Sequence, residues 1–140
     1  SAATAIALSS DGLKMFVADR VGGATVEEFA LTSAFSISAN SRLGSFDPAN
    51  TDDIYGIDFS SDGKTMFLLN ASEAVQQYAL VSAWSLGGAS IAPVQSFDIS
   101  SQIQTVTNGG VVITDSGRRM YITGASAGSP NDFKIFQYSL

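Results

Sequence analysis

Short apolar stretches alternate with polar turns along the whole chain, and no stretch of ten or more residues places its apolar positions at a helical period. Ile57, Asp58 and Phe59 alternate apolar and polar; a Ser60-Ser61-Asp62-Gly63 turn follows, then the apolar run Met66-Phe67-Leu68-Leu69. An Asp-Gly pair between two such stretches predicts a tight hairpin, because Asp accepts nearby backbone amides and Gly tolerates positive φ. Val75, Tyr78 and Leu80 predict a third strand whose spacing departs from strict alternation and allows a bulge. Ser96-Phe97-Asp98 centres a fourth.

This unit recurs. Segment 5–17 returns as 56–68 and, more weakly, as 110–122, aligning Gly12, Gly63 and Gly117 at spacings of 51 and 54 residues. Met15, Met66 and Met120 align with them. Val26-Glu27-Glu28-Phe29-Ala30-Leu31 matches Val75-Gln76-Gln77-Tyr78-Ala79-Leu80 and Ile135-Phe136-Gln137-Tyr138-Ser139-Leu140. Ser33-Ala34-Phe35-Ser36-Ile37 then matches Ser82-Ala83-Trp84-Ser85-Leu86, and Leu43-Gly44-Ser45-Phe46-Asp47 matches Val94-Gln95-Ser96-Phe97-Asp98. The third unit reaches Leu140 with neither of these last two pieces.

Four short strands in a repeat of roughly 40–50 residues predict a β-propeller blade. The expected fold is all-β: a single propeller segment with blade 1 about 5–47, blade 2 about 56–98 and a partial blade 3 about 110–140 that lacks its outer strand. Propellers close with about four to eight blades, so three need a partner. A second copy, giving six blades from two chains, is the simplest closed solution; the rest of a longer propeller is the other. Strand 133–140 is expected to be an open edge, or one covered by sequence outside these residues, with Lys134 as its only charge.

The pattern from Gly56 to Leu68, with its Phe59-Ser60-Ser61-Asp62-Gly63 centre, resembles the blades of YVTN-type and surface-layer propellers. The stretch from Val75 through Trp84 to Asp98 resembles propeller repeats of phage and marine microbial proteins. The resemblance spans nearly the whole chain and implies a blade frame, with the family's tetrapeptide replaced by Phe16-Val17-Ala18-Asp19 and Phe67-Leu68-Leu69-Asn70. Because frame residues recur whatever a propeller does, the resemblance implies no activity.

Charge narrows the partners. Thirteen acidic residues against seven basic ones give a net charge of −6, which excludes the cationic track that nucleic acid requires and disfavours an anionic membrane surface. No apolar run reaches the ~18 residues of a membrane-crossing helix, and the first residues read as a strand and turn instead of a signal peptide. With no cysteine there are no disulfides or thiolate metal sites, and with no histidine the commonest general base and metal ligand is missing. Neither a cofactor nor a metal is expected.

Candidate chemistry is sparse. Asp11-Gly12 and Asp62-Gly63 read as hairpin turns; a calcium ion needs six to eight oxygens around one point. Asp52-Asp53 and Glu27-Glu28 read as solvated surface, since neighbours on an extended chain face opposite ways and form no catalytic dyad. Asp58 is the only carboxylate on an innermost strand, and Asn70-Ala71-Ser72 is a glycosylation sequon. Phe46 and Phe97 repeat, as core residues would, whereas Tyr55 has no aromatic counterpart and is the better candidate for a ligand platform. The loops leading into innermost strands (48–55, 100–109) and those joining second to third strands (19–25, 70–74, 124–132) would share one face. They carry the candidate ligand residues Asp19, Arg20, Asp52, Asp53, Tyr55, Asn70, Glu73, Gln102, Gln104, Asn108, Asn131 and Asp132; loops 34–41 and 83–92 would lie at the other end.

These observations lead to the expectation of a non-catalytic recognition or display module, with a glycan or a protein as ligand, on a cell or virion surface. The alternative is a metal-dependent lactonase or hydrolase of the propeller kind, and a third reading is a pure scaffold. No catalytic residue is assigned.

Overall fold

The computed structural model describes residues 2–20, 24–49, 52–89, 92–106, 109–114 and 117–140, with the side chains of Thr105, Pro130 and Asn131 outside that description. Among the described residues there are twelve strands and no α-helix. β1 (Ala3–Leu8), β2 (Lys14–Asp19), β3 (Thr25–Ser33) and β4 (Ser36–Phe46) form one antiparallel sheet in that order. β5 (Ile54–Phe59), β6 (Thr65–Asn70), β7 (Ala74–Ala79) and β8 (Gln95–Asp98) form the second. In the third, β10 (Val111–Thr114), β11 (Arg119–Ser126) and β12 (Ser129–Ser139) follow in order, and β9 (Ile103–Thr105) also pairs with β11. β1, β5 and β10 lie beside one another, so each sheet runs outward from a shared inner row. That is the arrangement of propeller blades.

The turns between the first two strands of blades 1 and 2 form as their sequences require. Asp11 Oδ1 accepts from Leu13 N at 3.0 Å and Ser9 Oγ at 2.6 Å; Asp62 Oδ1 accepts from Lys64 N at 3.0 Å and Ser60 Oγ at 2.6 Å. Gly12 and Gly63 stand at φ +69° and +68°, which a side chain would strain. Both carboxyls are held below the usual carboxylate range, chiefly by the serine hydroxyl bonds.

Packing of neighbouring blades makes two cores. Phe16, Ala18, Val26 and Phe46 of blade 1 meet Ile57, Phe59, Met66, Leu68 and Tyr78 of blade 2. Phe67, Leu69 and Val75, on the other face of blade 2, meet Val111, Met120 and Ile122 of blade 3. Blade 2 is therefore apolar on both faces, which accounts for the irregular spacing of β7. Val75 pairs with Leu69 and Tyr78 with Met66 in an unbroken register, so the two side chains serve opposite interfaces and no bulge exists between β6 and β7. The repeated aromatic pair recurs at each interface: Phe46 meets Tyr78 edge-on at 5.2 Å and Phe97 meets Tyr138 edge-on at 5.3 Å.

Polar clasps reinforce the cores. Thr4 Oγ1 donates to Ile54 O at 2.6 Å, and Asp58 Oδ2 accepts from Ile113 N at 2.6 Å, each bridging adjacent inner strands. Farther out, Glu28 takes Lys14 Nζ on one oxygen at 2.6 Å and the amide of Leu86 on the other at 2.8 Å, while the same ammonium donates to Trp84 O at 2.8 Å. The expectation that Glu27-Glu28 is solvated thus holds for Glu27, exposed and paired with Arg42, but not for Glu28, which is only 4% exposed. One glutamate faces water and its neighbour faces the next blade, as alternation on a strand demands.

Three boundaries differ from the sequence-based expectation. The fourth strand of blade 1 runs over eleven residues, Ser36–Phe46, so most of segment 34–41 is strand instead of loop. Segment 124–132 is likewise largely strand, since β11 continues to Ser126 and β12 begins at Ser129. In blades 1 and 2 the inner strand passes its register shift as a bulge at Thr4 and Tyr55; in blade 3 it splits into β9 and β10. The longer spacing between Gly63 and Gly117 is absorbed there. Among the described residues no strand lies on the outer side of β12.

Candidate functional site

Backbone and side-chain hydrogen bonds tie each lead-in segment to the hairpin turn between the second and third strands of its own blade. In blade 1, Asp19 Oδ1 accepts from Ala2 N at 2.9 Å, and Arg20 N donates to Ala2 O at 3.4 Å. In blade 2, Ala71 N donates to Asp53 O at 2.9 Å and the Ser72 hydroxyl to Asp52 Oδ2; Glu73 O accepts from Ile99 N at 2.9 Å. In blade 3, Ala127 N donates to Gln102 O at 2.9 Å and Gly128 N to Gln104 Oε1 at 3.1 Å. The structure therefore gathers Asp19 and Arg20, Asp52, Asp53 and Glu73, and Gln102 and Gln104 into one group per blade.

The candidates differ in what they have left to offer. Arg20, Asp52, Gln102 and Gln104 are exposed, and Asp19, Asp53 and Glu73 are half-buried. Glu73 stands at φ 49°, a conformation its carbonyl's bond to Ile99 helps to hold. Asn70 is 3% exposed and its Oδ1 accepts from Ala74 N at 3.0 Å, so it shapes the turn and is shut off from a ligand or a glycan. Tyr55 is half-buried against the second core. Asp132 is exposed on β12 and paired with Lys134 at 2.7 Å, on a strand and not on a loop. Asn108 and the side chain of Asn131 lie outside the described residues.

Asp58 is the only acid of the inner row. Oδ1 accepts from Phe59 N at 2.8 Å and Oδ2 from Ile113 N, so both oxygens are committed to backbone. Burial raises its pKa, against the opposing pull of those two amides. Among the described residues no three Asp or Glu side chains gather where they could hold a metal ion. What the loop end offers is a set of carboxylates and primary amides, groups that hydrogen-bond a hydroxyl-rich small molecule and can accept a proton from water.

No family model matches the sequence, and no curated protein sequence matches it either. Solved structures do match. The periplasmic gluconolactonase of Pseudomonas aeruginosa superposes with a TM-score of 0.66 at 16% identity, covering 99% of this chain and 39% of its own. A protein of Bacteroides uniformis assigned as a 6-phosphogluconolactonase gives 0.62 at 14% identity, covering 98% and 38%. Hydrazine synthase of Kuenenia stuttgartiensis gives 0.60 at 15% identity, covering 88% and 29%. The chain thus spans less than two fifths of each of these structures. At such identities the likeness establishes the propeller fold. It also corrects the expectation of a non-catalytic display module: all three carry the names of enzymes and two are named as lactonases, so the enzymatic alternative is the one the comparisons favour.

Proposed function

We propose that this chain supplies three blades of a lactonase-type propeller, an enzyme that adds water to the ring ester of a sugar acid. The observation that carries this reading is the superposition of 98–99% of the chain on two lactonases. In the reaction the water oxygen bonds to the ester carbonyl carbon, the ring C–O bond breaks, and the proton removed from water ends on the released hydroxyl. Among the bases these three blades can offer, the carboxylates of the loop end come first, and Asp53 beside the inner strand is the first choice. The described acids of these three blades do not by themselves gather into a metal centre. Gln102 and Gln104 would hydrogen-bond the sugar hydroxyls.

The same reading needs a closed ring. Leu8, Phe35 and Ile37 are exposed on the free face of blade 1, and Val112 and Ile135 on that of blade 3. A second copy or further blades of a longer chain would cover both, and light scattering should give twice 14.6 kDa if two copies close the ring. A site of action outside the cytoplasm agrees with the likeness to a periplasmic protein. The blade frame is taken as a divergent relative of the YVTN and surface-layer type.

The test is hydrolysis of glucono-δ-lactone, followed by acid release with a pH indicator against the spontaneous rate. Acceleration that Asp53→Asn removes, with the circular dichroism spectrum unchanged, supports the reading. A rate equal to that of buffer, measured on material that scatters light as a closed ring, overturns it.

A further inference from the structure

The turn glycines of the three repeats differ in what lies over them. A Cβ on Gly12 would collide with the ring of Phe35, and one on Gly63 with the indole of Trp84. Phe35 and Trp84 both stand at positive φ, 59° and 56°, and each donates its backbone N–H at 2.8 Å to the carbonyl of the glycine that its ring covers. Two bulky residues in a conformation that side chains rarely accept, at the same repeat position, mark one device: a strap folded so that its ring lies on the turn. Gly117 has φ +87° and nothing within 4 Å of the place of a Cβ.

A groove of about 420 Å³ opens beside Gly117, lined by Thr65, Phe67, Gln77, Gln95 and Leu140 among others. Its counterpart one blade earlier is occupied. There Phe16, Lys14 and Glu28 stand in the repeat positions of Phe67, Thr65 and Gln77, and strap 82–86 of the next blade crosses them. The indole of Trp84 lies 6.5 Å from the ring of Phe16 and 5.2 Å from that of Phe59. Trp84 O accepts from Lys14, and Leu86 N donates to Glu28. Leu140 holds the position of Leu31 and Leu80, the residues from which the two straps depart. Ile113 holds that of Phe59.

We propose that the groove beside Gly117 is the seat of a Ser-Ala-aromatic-Ser-Leu strap continuing from Leu140, its ring laid over Gly117 between Phe67 and Ile113. Gln77 Oε1 takes the strap amide that Glu28 takes one blade earlier. The threonine and glutamine that replace the lysine and glutamate remove the ion pair from this seat, and Asp62 is the charged side chain left in its lining.

Trp84 is the only tryptophan, so appending Val-Ser-Ala-Trp-Ser-Leu after Leu140 in a Trp84→Phe background leaves a single indole to observe. A seated strap gives blue-shifted emission shielded from acrylamide and a Tm roughly 5 °C above that of the same extension with Ala for Trp. Gly117→Val should abolish the difference between the two extensions. Emission of a water-exposed indole, or equal Tm values, overturns the proposal. So does a blue shift that appears only with a doubling of mass, because the indole then sits on a second copy. Should Trp84→Phe fail to fold, the extension on the unchanged background labelled with fluorotryptophan reads the added indole as a second fluorine resonance. A free-peptide position for that resonance overturns the proposal, and a shifted, solvent-protected one supports it.

Discussion

Straps 33–37 and 82–86 are nearly the same sequence with opposite fates. Phe35 and Ile37 are 64% and 66% exposed, whereas Trp84 packs between Phe16 and Phe59 and Leu86 is 6% exposed. Their local geometry is shared: the same left-handed aromatic and the same bond to the turn glycine. What differs is the neighbour. Strap 82–86 crosses onto blade 1, and strap 33–37 has no described blade in front of it. A repeat thus encodes its backbone locally, while burial comes from the blade beside it.

The largest test of this difference is truncation of the two rings. Trp84→Ala should cost about 4 kcal/mol, the usual loss for emptying a large aromatic site, and Phe35→Ala less than about 1 kcal/mol. Urea denaturation of the two variants reads both numbers. Equal losses in a sample that scatters light as a monomer would mean that blade 1's strap is buried after all.

Next comes the pair of adjacent glutamates. Glu28→Ala removes the acceptor of a buried amide and the partner of Lys14, with an expected loss of about 3 kcal/mol. Glu27→Ala breaks only an exposed pair with Arg42 and should stay within about 0.5 kcal/mol. Similar losses would show that the clasp between blades carries no weight.

A smaller contrast concerns two tyrosines of the same repeat position. Tyr78 Oη donates to Gln76 Oε1 at 2.8 Å, but the buried Oη of Tyr138 has no partner among the described residues. Burial alone raises the pKa of Tyr138. Tyr78→Phe should cost about 1 kcal/mol, and Tyr138→Phe should be neutral or slightly stabilising, because it removes an unsatisfied hydroxyl. Thermal melts distinguish them.

The smallest effect is on pH dependence. Asp11, Asp62 and Asp98 have lowered pKa values, so their contribution is present above the ordinary carboxyl pKa and is lost as pH falls through the lowered ones. Asp58 is raised by burial, so its contribution is full below the unfolded value and is lost as pH rises through the folded one. The two trends oppose each other on acidification. Asp58→Asn should therefore lose more stability than the parent between about pH 6 and pH 3; a smaller loss would reverse the assigned sign.

Blades and turns were legible because they depend on spacing and on a few residues with strong local preferences, such as Asp62 and Gly63. Glu28 was not. Its repeat partner is Gln77 and it sits beside an exposed glutamate, so only the path of the neighbouring strap reveals its burial. The half-burial of Tyr55 was not legible either, since a residue outside the repeat pattern can be unique through its packing as well as through a ligand. The grouping of Asp52, Asp53 and Glu73 was readable from loop order, but the capture of Asn70 by its own turn was not.

By itself, the sequence determined the strand repeats and the turn geometry at Gly12 and Gly63, both of which depend on neighbours within a few residues. Only the tertiary structure decided which straps are buried, which face of β7 each side chain serves, and that both oxygens of Asp58 are already bonded. These outcomes depend on contacts between residues some fifty positions apart in sequence, and the burial of a group depends on what stands opposite it.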